Sequence, residues 1–96
     1  MNRAEHILTC LSEECTEVGQ RVSKALRFTL DEAQPGQPLT NAERIVEELQ
    51  DLAGVVTLAI REGLITPDWL NEDAIEAKIA KVERLLIYSN QMGTLS

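Results

Sequence analysis

Residues 40–63 read TNAERIVEELQDLAGVVTLAIREG, and this stretch decides the fold. Thr40 followed three residues later by Glu43 is the pattern of a capping box, in which two side chains satisfy the free amides at a helix start. Ile45, Leu49, Leu52, Val56 and Ala59 then recur at steps of three and four, which draws one apolar stripe along a helix. Gly63 supplies the residue with which a helix stops, because it adopts a left-handed backbone at no steric cost. The stretch therefore predicts a capped, one-faced helix that must bury its stripe against a partner.

Upstream, Arg3 to Thr29 carries a matching stripe of Ile7, Leu11, Val18, Val22 and Ala25. Between the two helices, Asp31 to Leu39 contains Pro35-Gly36-Gln37-Pro38 and reads as a loop. Downstream, Thr66-Pro67-Asp68 looks like a helix start with proline at its first position, a short linker element carrying Trp69 and Leu70. Asn71 caps a last helix, with Glu72 and Asp73 in its first turn and Gly93 at its end. Its stripe is Ile75, Ile79, Val82 and Leu86. Neither strand-like alternation nor a tandem repeat interrupts this pattern. The expected fold is all-α: a bundle of three main helices plus a short linker helix, one domain over residues 1–96.

Composition agrees. An apolar fraction of 44% with only three aromatics, Phe28, Trp69 and Tyr88, suits a core of aliphatic helices. So small a chain covers long apolar faces poorly, and a homo-dimer or homo-tetramer is expected to complete the bundle. The longest apolar run, Leu52 to Ile60, is too short to cross a bilayer. Glu5, His6 and Glu13 break any signal-peptide core, so the expected compartment is cytoplasmic, with no membrane partner. Sixteen acidic against nine basic residues give a net charge of −7, which argues against nucleic acid as a partner. Cys10 and Cys15 match no zinc or redox spacing and read as reduced thiols. His6, Trp69 and Met92 read as surface or packing residues.

The acidic residues are more telling in their placement than in their number. Acids normally sit opposite an apolar stripe. Projected at roughly 100° per residue, Glu14 instead borders the first stripe, with Glu17 about 60° further round. Glu48 and Asp51 repeat this offset beside the second stripe. If the two stripes pack antiparallel, four carboxylates converge at the seam. Such a group repels itself unless a cation compensates it, and Mg²⁺ prefers all-oxygen ligands of this kind.

These residues also resemble a known family. Glu13-Glu14-Cys15-Thr16-Glu17 is similar to the E-E-x-x-E motif, and Glu48-Leu49-Gln50-Asp51 to the E-x-x-D motif, of the MazG-like nucleoside triphosphate pyrophosphohydrolases, in the all-α NTP pyrophosphatase group. The likeness extends through Ser23 to Phe28, and takes in Lys81-Val82-Glu83-Arg84 and Tyr88-Ser89. Small single-domain members of this kind look typical of phages, which would make the host cytoplasm the compartment. The thirty residues between Glu17 and Glu48 slightly exceed the family spacing, an excess the 31–39 loop absorbs.

The resemblance implies a reaction and a set of roles. A nucleoside or deoxynucleoside triphosphate, with a purine deoxynucleotide such as dGTP favoured by analogy, becomes the monophosphate and pyrophosphate. Glu14, Glu17, Glu48 and Asp51 are the implied ligands of Mg²⁺, with Mn²⁺ as a substitute. Glu13 and Glu17 are the implied catalytic carboxylates. The triphosphate is expected to meet Lys24 and Arg27 on the first helix, and Lys78, Lys81, Arg84 and Tyr88 on the last. The alternative is a non-catalytic helical module that binds nucleotide or protein.

Overall fold

The computed structural model describes residues 1–96, and all regular structure in it is helical. Helix α1 spans Arg3–Phe28, α2 spans Asn41–Arg61 and α3 spans Glu72–Gln91. The chain divides into two compact units, Met1–Ile65 and Thr66–Ser96.

The first unit is an antiparallel hairpin of α1 and α2. Asn2 caps α1, its side-chain oxygen accepting from the Glu5 amide at 2.8 Å. At the far end Thr29 turns the chain at φ 74°, a left-handed backbone that costs a β-branched residue steric strain. That conformation is held from α2. Asn41, only 2% exposed, donates from Nδ2 to the Thr29 carbonyl at 2.8 Å and to Glu32 at 3.2 Å.

The loop in turn satisfies the start of α2. The amides of Asn41 and Ala42 donate to the carbonyls of Glu32 and Leu30 at 2.8 and 3.0 Å. The capping box expected at Thr40 forms in full: the Glu43 amide donates to the Thr40 hydroxyl, and the Thr40 amide donates to the Glu43 carboxylate. These bonds hold Glu43 below the usual carboxylate range. The four amides that α2 leaves free at its start, those of Thr40 to Glu43, thus all find acceptors, and the Arg44 amide begins the helical ladder by donating to the Thr40 carbonyl.

The other end of the hairpin is pinned by Arg3, whose Nη2 lies 2.9 Å from Glu62 Oε1. Beyond Arg61, the Gly63 amide donates to Ile60 and the Leu64 amide to Ala59, with Gly63 at φ 75°. This paired return of orphan carbonyls is the Schellman arrangement, and it requires the left-handed residue that glycine supplies. Along the seam Ile7, Ala25, Val56 and Ala59 are buried. Val22 and Leu49, although part of the stripes, remain 41% and 46% exposed.

The second unit is α3 and its flanks. Asn71 caps the helix as expected, accepting from the Ala74 amide at 2.9 Å. Gly93 closes it with the same paired bonds as Gly63, to Asn90 and Ser89. No residue of α3 is buried, and Ile75, Ile79, Val82 and Leu86 are all exposed.

The short linker helix does not form. Residues 66–70 are bends and a turn, in which the Thr66 hydroxyl donates to the Asp68 carboxylate and lowers its pKa. The physical reason is length. Proline at a first helical position helps a helix begin, but five residues before the next cap do not repay the cost of nucleation. No helix of the chain is long and apolar enough to cross a membrane.

Candidate metal centre

The antiparallel register decides which acids meet. Arg3 pairs with Glu62 at one end and Thr29 with Asn41 at the other, so the middle of α1 faces the middle of α2. Glu14 there meets Glu48 and Asp51, with one carboxylate oxygen from each lying within 4.8 Å of the others. Glu14 and Glu48 are half-buried, and Asp51 is exposed.

This is an expensive arrangement for the chain alone. Glu14 Oε2 is shut off from solvent and has no hydrogen-bond partner. Burial pushes the Glu14 carboxyl above its ordinary value of 4.5, and the charges of Asp51, Glu48, Glu17 and Glu13 push it the same way. A native fold normally pairs such an oxygen. The donor set fits a hard divalent cation: three carboxylates from two helices, of which that of Asp51 is exposed to solvent. Helical bundles are known to build metal centres from inward carboxylates in this way.

Not every expected ligand joins the group. Glu17 and Glu13 are exposed and lie outside the three, although both charges are felt at Glu14. A helical projection gives the side of α1 on which Glu17 stands, but the depth at which α2 crosses decides which acids touch.

The expected phosphate-binding side chains fall in two places. Lys24 is half-buried and Arg27 exposed, and both line a shallow depression on α1 with Gly19, Gln20 and Ser23. The Arg27 guanidinium stands 5.0 Å from the centre of the Phe28 ring, a cation–π contact. Lys78, Lys81, Arg84 and Tyr88 are all exposed on α3.

No family model, no curated protein and no solved structure matches the chain.

One charged residue beside the acids escaped the sequence reading. Arg21 on α1 places Nε 3.8 Å from Glu48 Oε1, and both side chains are 17% exposed. Its signal was available: seven residues after Glu14 is two helical turns, so Arg21 stands on the same line of α1. Asn41 was missed for another reason, since an asparagine next to a capping threonine does not announce that it will be buried. The two cysteines are free, Cys10 half-buried and Cys15 exposed.

Proposed function

We propose that this protein is a Mg²⁺-dependent nucleoside triphosphate pyrophosphohydrolase of MazG-like type, converting a (d)NTP to the (d)NMP and pyrophosphate. The observation that carries the reading is the meeting of Glu14, Glu48 and Asp51 within 4.8 Å across two helices, with a Glu14 oxygen buried and unpaired. The motif resemblance at residues 13–17 and 48–51 supplies the reaction class.

Glu14, Glu48 and Asp51 would hold the cation. When bound, it supplies positive charge that offsets the triphosphate and the charge developing on the leaving pyrophosphate. The exposed carboxylates of Glu13 and Glu17 are free to accept the proton of the attacking water. That water's oxygen forms the new bond to the α-phosphorus, and the α–β phosphoanhydride bond breaks with its bridging oxygen leaving on pyrophosphate. Lys24 and Arg27 would bind phosphate oxygens from α1, and Lys78, Lys81, Arg84 and Tyr88 are the α3 counterparts in this reading. A purine deoxynucleotide such as dGTP is the substrate we favour, in the cytoplasm, with a homo-dimer or homo-tetramer as the working form.

A second reading is a non-catalytic module that binds nucleotide or protein. It is favoured by α3, whose apolar residues Ile75, Ile79, Val82 and Leu86 are all exposed. The two readings separate in one experiment. The purified protein is incubated with each NTP and dNTP, with Mg²⁺ or with EDTA, and products are resolved by ion exchange. The enzyme reading expects monophosphate and pyrophosphate only with metal. Intact triphosphates under all conditions overturn it in favour of the binding module.

A further inference from the structure

The acidic cluster carries a cation of its own. Arg21 is mostly buried beside Glu48, yet no hydrogen bond joins them: Nε stands 3.8 Å from Glu48 Oε1. Its Nη1 is shut off from solvent and has no partner at all. A guanidinium brings five donors and a permanent charge, so leaving one under-satisfied costs stability unless the charge itself is wanted there. The neighbouring charges indicate what it is wanted for. Against Glu14, Glu48 and Asp51, one guanidinium leaves two negative charges uncompensated, which is the charge of a single divalent cation.

We infer that Arg21 is the built-in counter-charge of the metal centre, paired loosely with Glu48 so that this carboxylate can be surrendered to a divalent cation. Its role is electrostatic: it acts by its charge on Glu48 and on the incoming cation. The inference rests on the metal-centre reading above and adds a competition to it. Without metal, Arg21 relieves repulsion among the carboxylates and steadies the hairpin. With metal, its charge opposes the incoming cation and competes for Glu48. A short, fully bonded arginine–carboxylate fork would lock the acid away. The long contact does not.

Removing the charge therefore pulls two measurements in opposite directions. Coulomb's law at the dielectric of water puts the effect of one unit charge, an ion pair's distance from a divalent ion, at about thirtyfold in affinity. The full chain and its Arg21→Gln and Arg21→Lys variants are titrated with MgCl₂ by calorimetry and melted in EDTA. Arg21→Gln is expected to melt lower without metal and to bind Mg²⁺ about thirtyfold tighter. Arg21→Lys, which keeps the charge, is expected to stay within about twofold of the parent. Arg21→Met keeps the aliphatic stem and serves in the same way if the glutamine variant does not fold. Unchanged Mg²⁺ affinity in the charge-removing variants would mean that Arg21 only packs, and weaker affinity would mean that it aims Glu48 at the metal. Either overturns the inference alone. Absence of Mg²⁺ binding by the parent chain overturns the metal centre itself, and the inference with it.

Discussion

The two halves of one seam behave differently. Towards the Arg3–Glu62 end, α1 and α2 bury Ile7, Val56 and Ala59, apolar atoms with nothing polar left unpaired among them. In the middle, the same two helices bring together Glu14, Glu48, Asp51 and Arg21, with a carboxylate oxygen and a guanidinium nitrogen buried and unpartnered. The end stabilises the hairpin by the hydrophobic effect, and the middle spends part of that stability. A sequence that breaks the local rule for acids at two matched positions, in the centre of an otherwise consistent helix pair, marks where function is to be sought.

Substitutions at the two places should therefore differ in kind. Glu48→Ala or Asp51→Ala is expected to lower kcat/KM for the favoured triphosphate by about a thousandfold or more, through loss of the charge that offsets the reacting phosphates. Asp51→Ala, which leaves the Arg21–Glu48 pair intact, should not lower the melting temperature measured in EDTA. A variant that loses activity only because it unfolds would erase the distinction. Ile7→Ala is the reverse case: a cavity at the apolar end should cost about 2–5 kcal/mol by denaturant unfolding. At temperatures where that variant is folded, its Mg²⁺ affinity should match the parent's.

The pH dependence follows from the same contrast. Glu14 has a folded-state pKa raised above 4.5. The folded state therefore holds that proton more tightly than the unfolded chain does. Its contribution is fully present below pH 4.5 and is lost as pH rises through the elevated value. Glu43 and Asp68 are lowered, so their contributions run the other way, present above the ordinary carboxylate range and lost as pH falls through their folded-state values. Glu14→Gln isolates the first effect. In EDTA, the parent should lose stability relative to this variant as pH is raised from the ordinary carboxylate range towards neutrality. Parallel curves would place no electrostatic load on Glu14.

The smallest expected effect is at Thr29. Its φ of 74° is strained for a threonine and is held by the Asn41 amide, so Thr29→Gly should stabilise the hairpin by about 1 kcal/mol. A loss of stability there would mean that the threonine side chain outweighs the backbone strain.

Much of this was legible in the residues because helix signals are local. Thr40 with Glu43, Gly63, Asn71 and Gly93 mark ends that the backbone bonds bear out one by one. The phase of Glu14, Glu48 and Asp51 was also readable, since angle around a helix depends only on residue count. What failed depends on a partner. Glu17 stands on the expected side of α1, yet its carboxylate lies outside the group, because spacing gives the face of a helix and not how far a side chain reaches across to its neighbour. Val22 and Leu49 belong to the stripes by spacing, but a stripe broader than the contact leaves its edges exposed. Thr66-Pro67 starts a helix by local rule, and the chain length before Asn71 defeats it.

We propose that the middle of the seam holds a divalent cation. Thermal melting of the unmodified chain in EDTA and at rising Mg²⁺ tests this most directly, before any substrate is chosen. By mass action a hundredfold excess over Kd should add about 2.7 kcal/mol, reversed by chelator. A melting curve indifferent to Mg²⁺ and Mn²⁺ would contradict it.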